Sequence, residues 1–122
     1  MKVLEAGENY LEAILMEHKK HKFVRSIDLA NALGYSKPTI SVAMKQFREN
    51  GYVEIDESGN ITLTEAGSEI AEKMYERHMV IAQFLMSVGV DEKTAYEDSC
   101  KIEHDISEKT FQCIKEFYNK TL

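Results

Sequence analysis

At Gly51 the apolar residues of this 122-residue chain change their spacing from helical to alternating, and that change limits the folds open to its N-terminal half. Before it, Ile40, Ala43, Met44 and Phe47 form the stripe of an amphipathic helix that Ser36 is placed to cap. Pro38 is tolerated in the first turn, where the N–H groups have no internal partner. After Gly51, Val53 and Ile55 alternate with Tyr52, Glu54 and Asp56, and Ile61 and Leu63 alternate with Thr62 and Thr64. Glu57-Ser58-Gly59-Asn60 turns between them, so the segment predicts a β-hairpin.

The flanking segments are helical. Tyr10, Leu11, Ile14 and Leu15 share one face of a helix from about Gly7 to Lys20, closed by the basic run His18 to Lys22. A short helix carrying Ile27, Leu29, Ala30 and Leu33 is expected to be capped by Ser26 and stopped by Gly34. Short helix, tight Gly-Tyr turn and second helix make a helix-turn-helix pattern, and the hairpin follows at the spacing of a wing. A long helix runs from Thr64 to about Ser87, with Ile70, Met74, His78, Ile81 and Leu85 on its apolar face. Gly89 breaks it, Asp91 caps the next helix, and Ser107 caps a last one bearing Phe111, Ile114, Phe117 and Tyr118. The expected fold is mainly α: an N-terminal winged helix-turn-helix over residues 1–64, then a helical domain over residues 65–122.

A net charge of −6 fits nonspecific nucleic-acid binding poorly, so its distribution matters more. Residues 1–64 hold eight basic against nine acidic side chains, and residues 65–122 hold seven against twelve. A nearly neutral reader joined to an acidic module that gathers carboxylates suits this asymmetry. Ser36, Pro38, Thr39, Ser41 and Val42 offer the second helix a small outer face that fits a major groove about 12 Å wide. Lys37, Lys45 and Arg48, with Arg25 before the preceding helix, are placed to meet phosphates. The hairpin tip, Asp56 to Gly59, is acidic and makes a weak phosphate clamp. Double-stranded DNA is therefore the expected partner.

The second module carries Cys100-Lys101-Ile102-Glu103-His104. Positions i, i+3 and i+4 share a helix face, so a thiol, a carboxylate and an imidazole point the same way, three good donors for a divalent transition metal. The apolar last helix predicts a homodimer. No apolar run approaches the roughly 18 residues of a membrane span, and no secretory pattern opens the chain. A cytoplasmic protein with no membrane contact follows as the expectation. Cys100 and Cys113 are then read as free thiols, Cys113 as structural, and His18 and His21 as surface residues.

Taken together, Glu8-Asn9-Tyr10-Leu11-Glu12-Ala13-Ile14, Ser36 to Ser41, Leu63-Thr64-Glu65-Ala66-Gly67, Arg77-His78 with Phe84-Leu85, and Cys100 to Ser107 resemble the diphtheria-toxin-repressor family of metal-dependent repressors, including its manganese-regulator branch. The resemblance implies a winged helix followed by a helical metal-binding and dimerisation domain. It implies Asn9, Glu12, His78, Cys100, Glu103 and His104 as ligand positions. Cys100 follows the iron-type branch and Glu12 the manganese-type branch, while Asn9 stands where those branches place Met or Asp. Ala82 and Tyr96 replace ligands of the iron-type ancillary site, and a chain closing at Leu122 is expected to lack the additional C-terminal domain of some members.

A thiolate with two imidazoles favours Fe(II), Co(II) or Zn(II) over Mn(II), and Fe(II) leads the expectation. The function that follows is repression of transcription from a DNA operator, activated by metal. A regulator with weakened metal sensing, or one that senses oxidation through Cys100, is the alternative. A metalloenzyme using Glu103 as a base is disfavoured, because five or six protein ligands leave no open coordination position. Whether one or two ions bind per subunit stays open.

Overall fold

The computed structural model of the chain describes Val3 and residues 5–121. Its elements are α1 (Glu5–Lys20), α2 (Ser26–Leu33), α3 (Lys37–Glu49), β1 (Val53–Ile55), β2 (Ile61–Leu63), α4 (Glu65–Ser87), α5 (Glu92–Asp105) and α6 (Glu108–Thr121). They form two compact units, Met1–Glu72 and Lys73–Leu122, which divide inside α4. The start of α4 packs with the first unit: Ala71 joins its core, and a side chain at Gly67 would collide with the Tyr52 carbonyl. Among the described residues no helix is long and apolar enough to cross a membrane.

In the first unit Leu11 and Ile14 of α1, Leu29 of α2, and Ile40, Met44 and Phe47 of α3 meet Val53 and Ile61 of the hairpin in one apolar core. The helix stripes therefore face inward as their spacing predicts, except Ile27 of α2, which is 42% exposed. Ser36 caps α3, its Oγ accepting the Thr39 N–H at 3.3 Å. Gly34 closes α2 at φ 73°, a left-handed conformation that glycine adopts without a steric cost. The N-cap of α2 is Arg25 rather than Ser26, because the Asp28 carboxylate reaches back to accept the Arg25 N–H at 2.8 Å. Ser26 becomes the first helical residue.

The hairpin pairs Val53 with Leu63, Glu54 with Thr62 and Ile55 with Ile61. Two strands of this length are marginal alone, and the surrounding chain fastens them. The Ile61 N–H donates to the Val24 carbonyl at 2.7 Å, and His18 Nε2 donates to the Ile61 carbonyl at 2.6 Å. His18 is thus an anchor between α1 and β2 rather than a surface residue; His21 is exposed.

In the second unit Met74, Ile81, Ala82, Ala95 and Phe111 are buried beside the polar residues Arg77, His78, Ser99 and Glu103. Asp91 caps α5 through the Thr94 N–H at 3.0 Å, and Ser107 caps α6 through the Thr110 N–H at 3.1 Å. Phe111, expected on a dimer face, is instead buried under the Arg77 guanidinium, 5.3 Å from its ring centroid. Phe117 stays 58% exposed, its ring edge-on to Phe84 at 6.2 Å. Both cysteines are free thiols, and Cys113 is exposed, so it is no core residue.

Candidate metal centre and nucleic-acid interface

The second unit builds its donor cluster from two helices. The Cys100, Glu103 and His104 positions share a face of α5 by helical spacing, and α4 supplies His78 opposite them. Cys100 Sγ lies 3.7 Å from His78 Nδ1, which in turn lies 3.7 Å from Glu103 Oε2. His104 Nε2 stands 3.5 Å from Glu103 Oε1, so the carboxylate lies between two imidazoles. One ligand atom each from His78, Cys100 and Glu103 fall within 4.8 Å of one another. Donors bonded at about 2.0–2.3 Å to one ion stand roughly 3–4 Å apart, so a small contraction would bring these three donors into range of a single ion.

The chemistry of the donor set fits a divalent transition metal as well as the spacing does. Glu103 is 0% exposed. Burying an ionised carboxylate costs several kcal/mol unless opposite charge compensates it, and a cation in this cluster supplies that compensation. His78 is held below its ordinary pKa, first by burial and second by the nearby His104. The contact with Glu103 does not reverse this, so His78 is neutral at pH 7 and keeps a lone pair for a metal. Cys100 is exposed, which leaves the thiol side of the cluster open to water.

Neighbours hold these donors in place. Ser99 Oγ donates to the His78 carbonyl at 2.6 Å, locking α5 to α4 one residue before Cys100. Tyr96 lays its ring 5.5 Å from that of His78, at an angle of 42°. Arg77 reaches the other end of the donor run, donating to the Glu103 carbonyl at 2.9 Å. Sequence reasoning assigned roles to none of these three as supports. For Arg77 the signal was present: position 77 falls on the stripe of Ile70, Met74 and Ile81, where a charged residue must find buried partners.

Asn9 and Glu12 lie on α1 in the first unit, Asn9 half-buried and Glu12 buried. The second unit therefore brings together four of the six expected ligands, and the other two belong to the reader.

On α3 the outer residues Ser36, Lys37, Pro38, Thr39, Ser41, Val42, Lys45 and Arg48 are all exposed, while Ile40, Met44 and Phe47 are buried. Val42, at 61% exposure, is an apolar side chain left on the surface of an otherwise polar face. Arg25 is exposed too, but its Nε donates to the Ser58 carbonyl at 3.1 Å, tying the wing turn to the start of α2. Within that turn the Asp56 carboxylate accepts from Ser58 Oγ at 2.7 Å and from the Ser58 and Asn60 N–H groups at 2.9 Å. Those bonds, the Ser58 side chain first, hold Asp56 below the usual carboxylate range. The wing tip is fastened by its own hydrogen bonds and is anionic.

The chain matches two domain families over most of its length. Residues 2–60 match the iron dependent repressor N-terminal DNA-binding domain, and residues 64–121 match the iron dependent repressor metal-binding and dimerisation domain. An uncharacterized HTH-type transcriptional regulator of Methanocaldococcus jannaschii is 36% identical, over 93% of this chain and 92% of its own. The transcriptional regulator MntR of Escherichia coli is 30% identical, over 95% of this chain and 75% of its own. Among solved structures, a manganese-dependent transcriptional repressor in complex with manganese superimposes with a TM-score of 0.84 at 25% identity, over 92% of this chain and 52% of that one. The manganese regulator SloR superimposes at 0.79 with 23% identity, over 98% and 55%. This chain thus spans about half the length of those two solved chains.

Proposed function

The chain belongs to the iron-dependent repressor family of the diphtheria-toxin-repressor and MntR type, and from that membership among metal-dependent transcriptional repressors we propose how its own residues make DNA binding answer to metal. His78, Cys100, Glu103 and His104 hold a divalent transition metal from α4 and α5. Glu12, and Asn9 through its amide oxygen, hold it from α1. The observation that carries this reading is the trio His78, Cys100 and Glu103, whose donor atoms fall within 4.8 Å of one another. Glu12 supports it as a carboxylate buried in the run Tyr10 to Ile14.

When bound, the cation supplies the positive charge that lets these anionic donors share one site. Without that charge Glu12, Glu103 and ionised Cys100 repel one another, and α1 is released. Residues 1–64 act as the reader and residues 65–122 as the metal-binding and dimerisation module. In the reader, α3 enters the major groove with Ser36, Pro38, Thr39, Ser41 and Val42 over the base edges. Lys37, Lys45, Arg48 and Arg25 meet phosphates. The protein acts in the cytoplasm as a homodimer, joined through the surface of Ile114, Phe117 and Tyr118. Its two α3 helices must match half-sites one or more DNA turns apart. A coupling of about 1–3 kcal/mol between metal and DNA is ordinary for such a switch.

The thiol and imidazoles make Fe(II) the preferred ion, with Co(II), Zn(II) and Mn(II) as competitors. The manganese regulators among the structural neighbours make Mn(II) the comparison to run beside it. The test is the affinity for a DNA site selected from a random pool, measured with each metal and with a chelator. Tight binding only with metal is expected; equal affinity throughout would sink metal activation. A second reading, oxidation sensing at Cys100, draws on the exposure of that thiol. It requires that Cys100→Ala leave metal-dependent DNA binding intact, whereas the metal reading requires a large loss.

A further inference from the structure

Arg77 is a buried cation whose bonds all go to the junction of α5 and α6. Its side chain is 5% exposed, yet its partners are mostly backbone. Nη1 donates to the carbonyls of Glu103 at 2.9 Å and Ile106 at 3.0 Å, and Nη2 donates to Glu108 Oε2 at 2.8 Å. The guanidinium also lies over the Phe111 ring, 5.3 Å from its centroid. Helix α5 ends at Asp105, so the carbonyls near its end have no partner within the helix. A cation there complements the negative end of the α5 dipole, while Glu108 complements the positive end of α6.

The position of Arg77 in the chain gives these bonds a consequence. It directly precedes His78 on α4, and one carbonyl it holds belongs to Glu103, the residue before His104. Ser99 holds the His78 carbonyl from the other side of Cys100. Two fastenings, one at residue 99 and one at residue 103, thus set the single helical turn that carries Cys100, Glu103 and His104 against His78.

We propose that Arg77 is a positioning residue of the metal centre, setting through the Glu103 carbonyl the distance between the α5 donors and His78. It touches no metal and acts through Glu103 and His104. This inference rests on the metal-centre reading given above. The planar fork of arginine suits the role, because it reaches two carbonyls and a carboxylate at fixed angles, and lysine reproduces only part of that.

The test is a Co(II) titration of the full chain, read by visible absorption, chelator competition and metal content per subunit. Arg77→Met is expected to bind Co(II) about 10–100-fold more weakly, the usual cost of losing a partner that orients a ligand. Arg77→Lys is expected to fall between it and the parent. The Cys100 thiolate-to-Co(II) absorption is expected to persist in Arg77→Met while the ligand-field bands change, because the thiol and His78 stay while Glu103 and His104 shift. Ile81→Ala, a buried packing change on the same helix, separates this from general loosening: it should lower the melting temperature of the metal-free protein and leave Co(II) affinity unchanged. Glu108→Gln, at a half-exposed site that folds readily, should weaken Co(II) binding less than Arg77→Met and carries the test if that variant does not fold. Undiminished Co(II) affinity in Arg77→Met, or in both Arg77→Lys and Glu108→Gln, overturns the inference. An equal loss in Ile81→Ala overturns it as well. A parent chain that binds no Co(II) overturns the metal centre itself, and this inference with it.

Discussion

The reader and the metal unit are stabilised in opposite ways. The core of the first unit is a continuous apolar cluster from Tyr10 to Ala71, with Leu11, Ile14, Leu29, Ile40 and Ile61 fully buried. Among its described residues, the second unit buries Arg77, His78, Ser99 and Glu103 beside Met74, Ile81, Ala82, Ala95 and Phe111. Apolar packing holds its geometry without help from solutes. A core that contains carboxylate and imidazole depends on which charges are present. The part that must keep one shape for DNA rests mostly on apolar packing, and the part that must respond to metal carries buried charge. Glu12 is the exception within the first unit, a buried carboxylate on the reader's first helix.

The largest expected effect tests the apolar half. Ile40→Ala should destabilise the reader by about 2–5 kcal/mol, with or without metal, measured by denaturant unfolding. If added metal restores that loss, the reader's core does not rest on its own apolar packing. Metal itself should act on the other half. At a hundredfold excess over its dissociation constant it should stabilise the fold by about 2.7 kcal/mol. Hydrogen exchange should place the largest new protection in α4 and α5 and a smaller gain in α1 through Glu12, and uniform protection would remove the contrast between the units.

Glu103→Gln sharpens the comparison by its signs. It should weaken metal binding by about 3–5 kcal/mol through loss of the buried charge partner. It should also raise the stability of the metal-free protein by about 1–3 kcal/mol, because a neutral amide is cheaper to bury. A metal-free variant that melts below the parent refutes the charge-balanced core. On the reader, Lys45→Ala should weaken DNA binding similarly for all sequences and lower the salt slope by about one. A change in sequence preference instead would give Lys45 a base contact.

The smallest effect concerns acid. Glu108 is held down to about 2, first by the Gln112 side chain and then by Arg77 and Lys73. Its folded pKa lies below the unfolded value of 4.5, so its contribution is present above that pH and fades as pH falls towards 2. Metal-free Glu108→Gln should therefore lose melting temperature less steeply than the parent across that window. Parallel curves would show that Glu108 contributes nothing to the α5–α6 junction.

Much of the fold was legible because its signals are local. Ser36, Asp91 and Ser107 were read as caps, and each accepts the N–H of the residue three further on. The change of period at Gly51 located the hairpin within a residue of its strands. The misreadings involve partners both near and far in the chain. Ser26 lost the cap position to Arg25 because Asp28 bonds back to that residue. His18 reads as a surface residue from its neighbours in the chain, but its partner lies 43 positions away on β2. Phe111 reads as part of a dimer face, but Arg77 and the rest of its own unit cover it.

What the sequence determined by itself is the one-turn spacing of Cys100, Glu103 and His104, together with the apolar stripes that bury one face of each helix. Helical geometry repeats every 3.6 residues, so such relations need no knowledge of the rest of the chain. Only the tertiary structure decided that His78 faces those donors within 3.7 Å of Cys100 and Glu103, and that Arg77 grips the end of their helix. Those distances depend on how the Gly89 turn closes and how α4 and α5 pack. That packing is a sum of many small contacts spread over residues far apart in the chain, and no short motif records it.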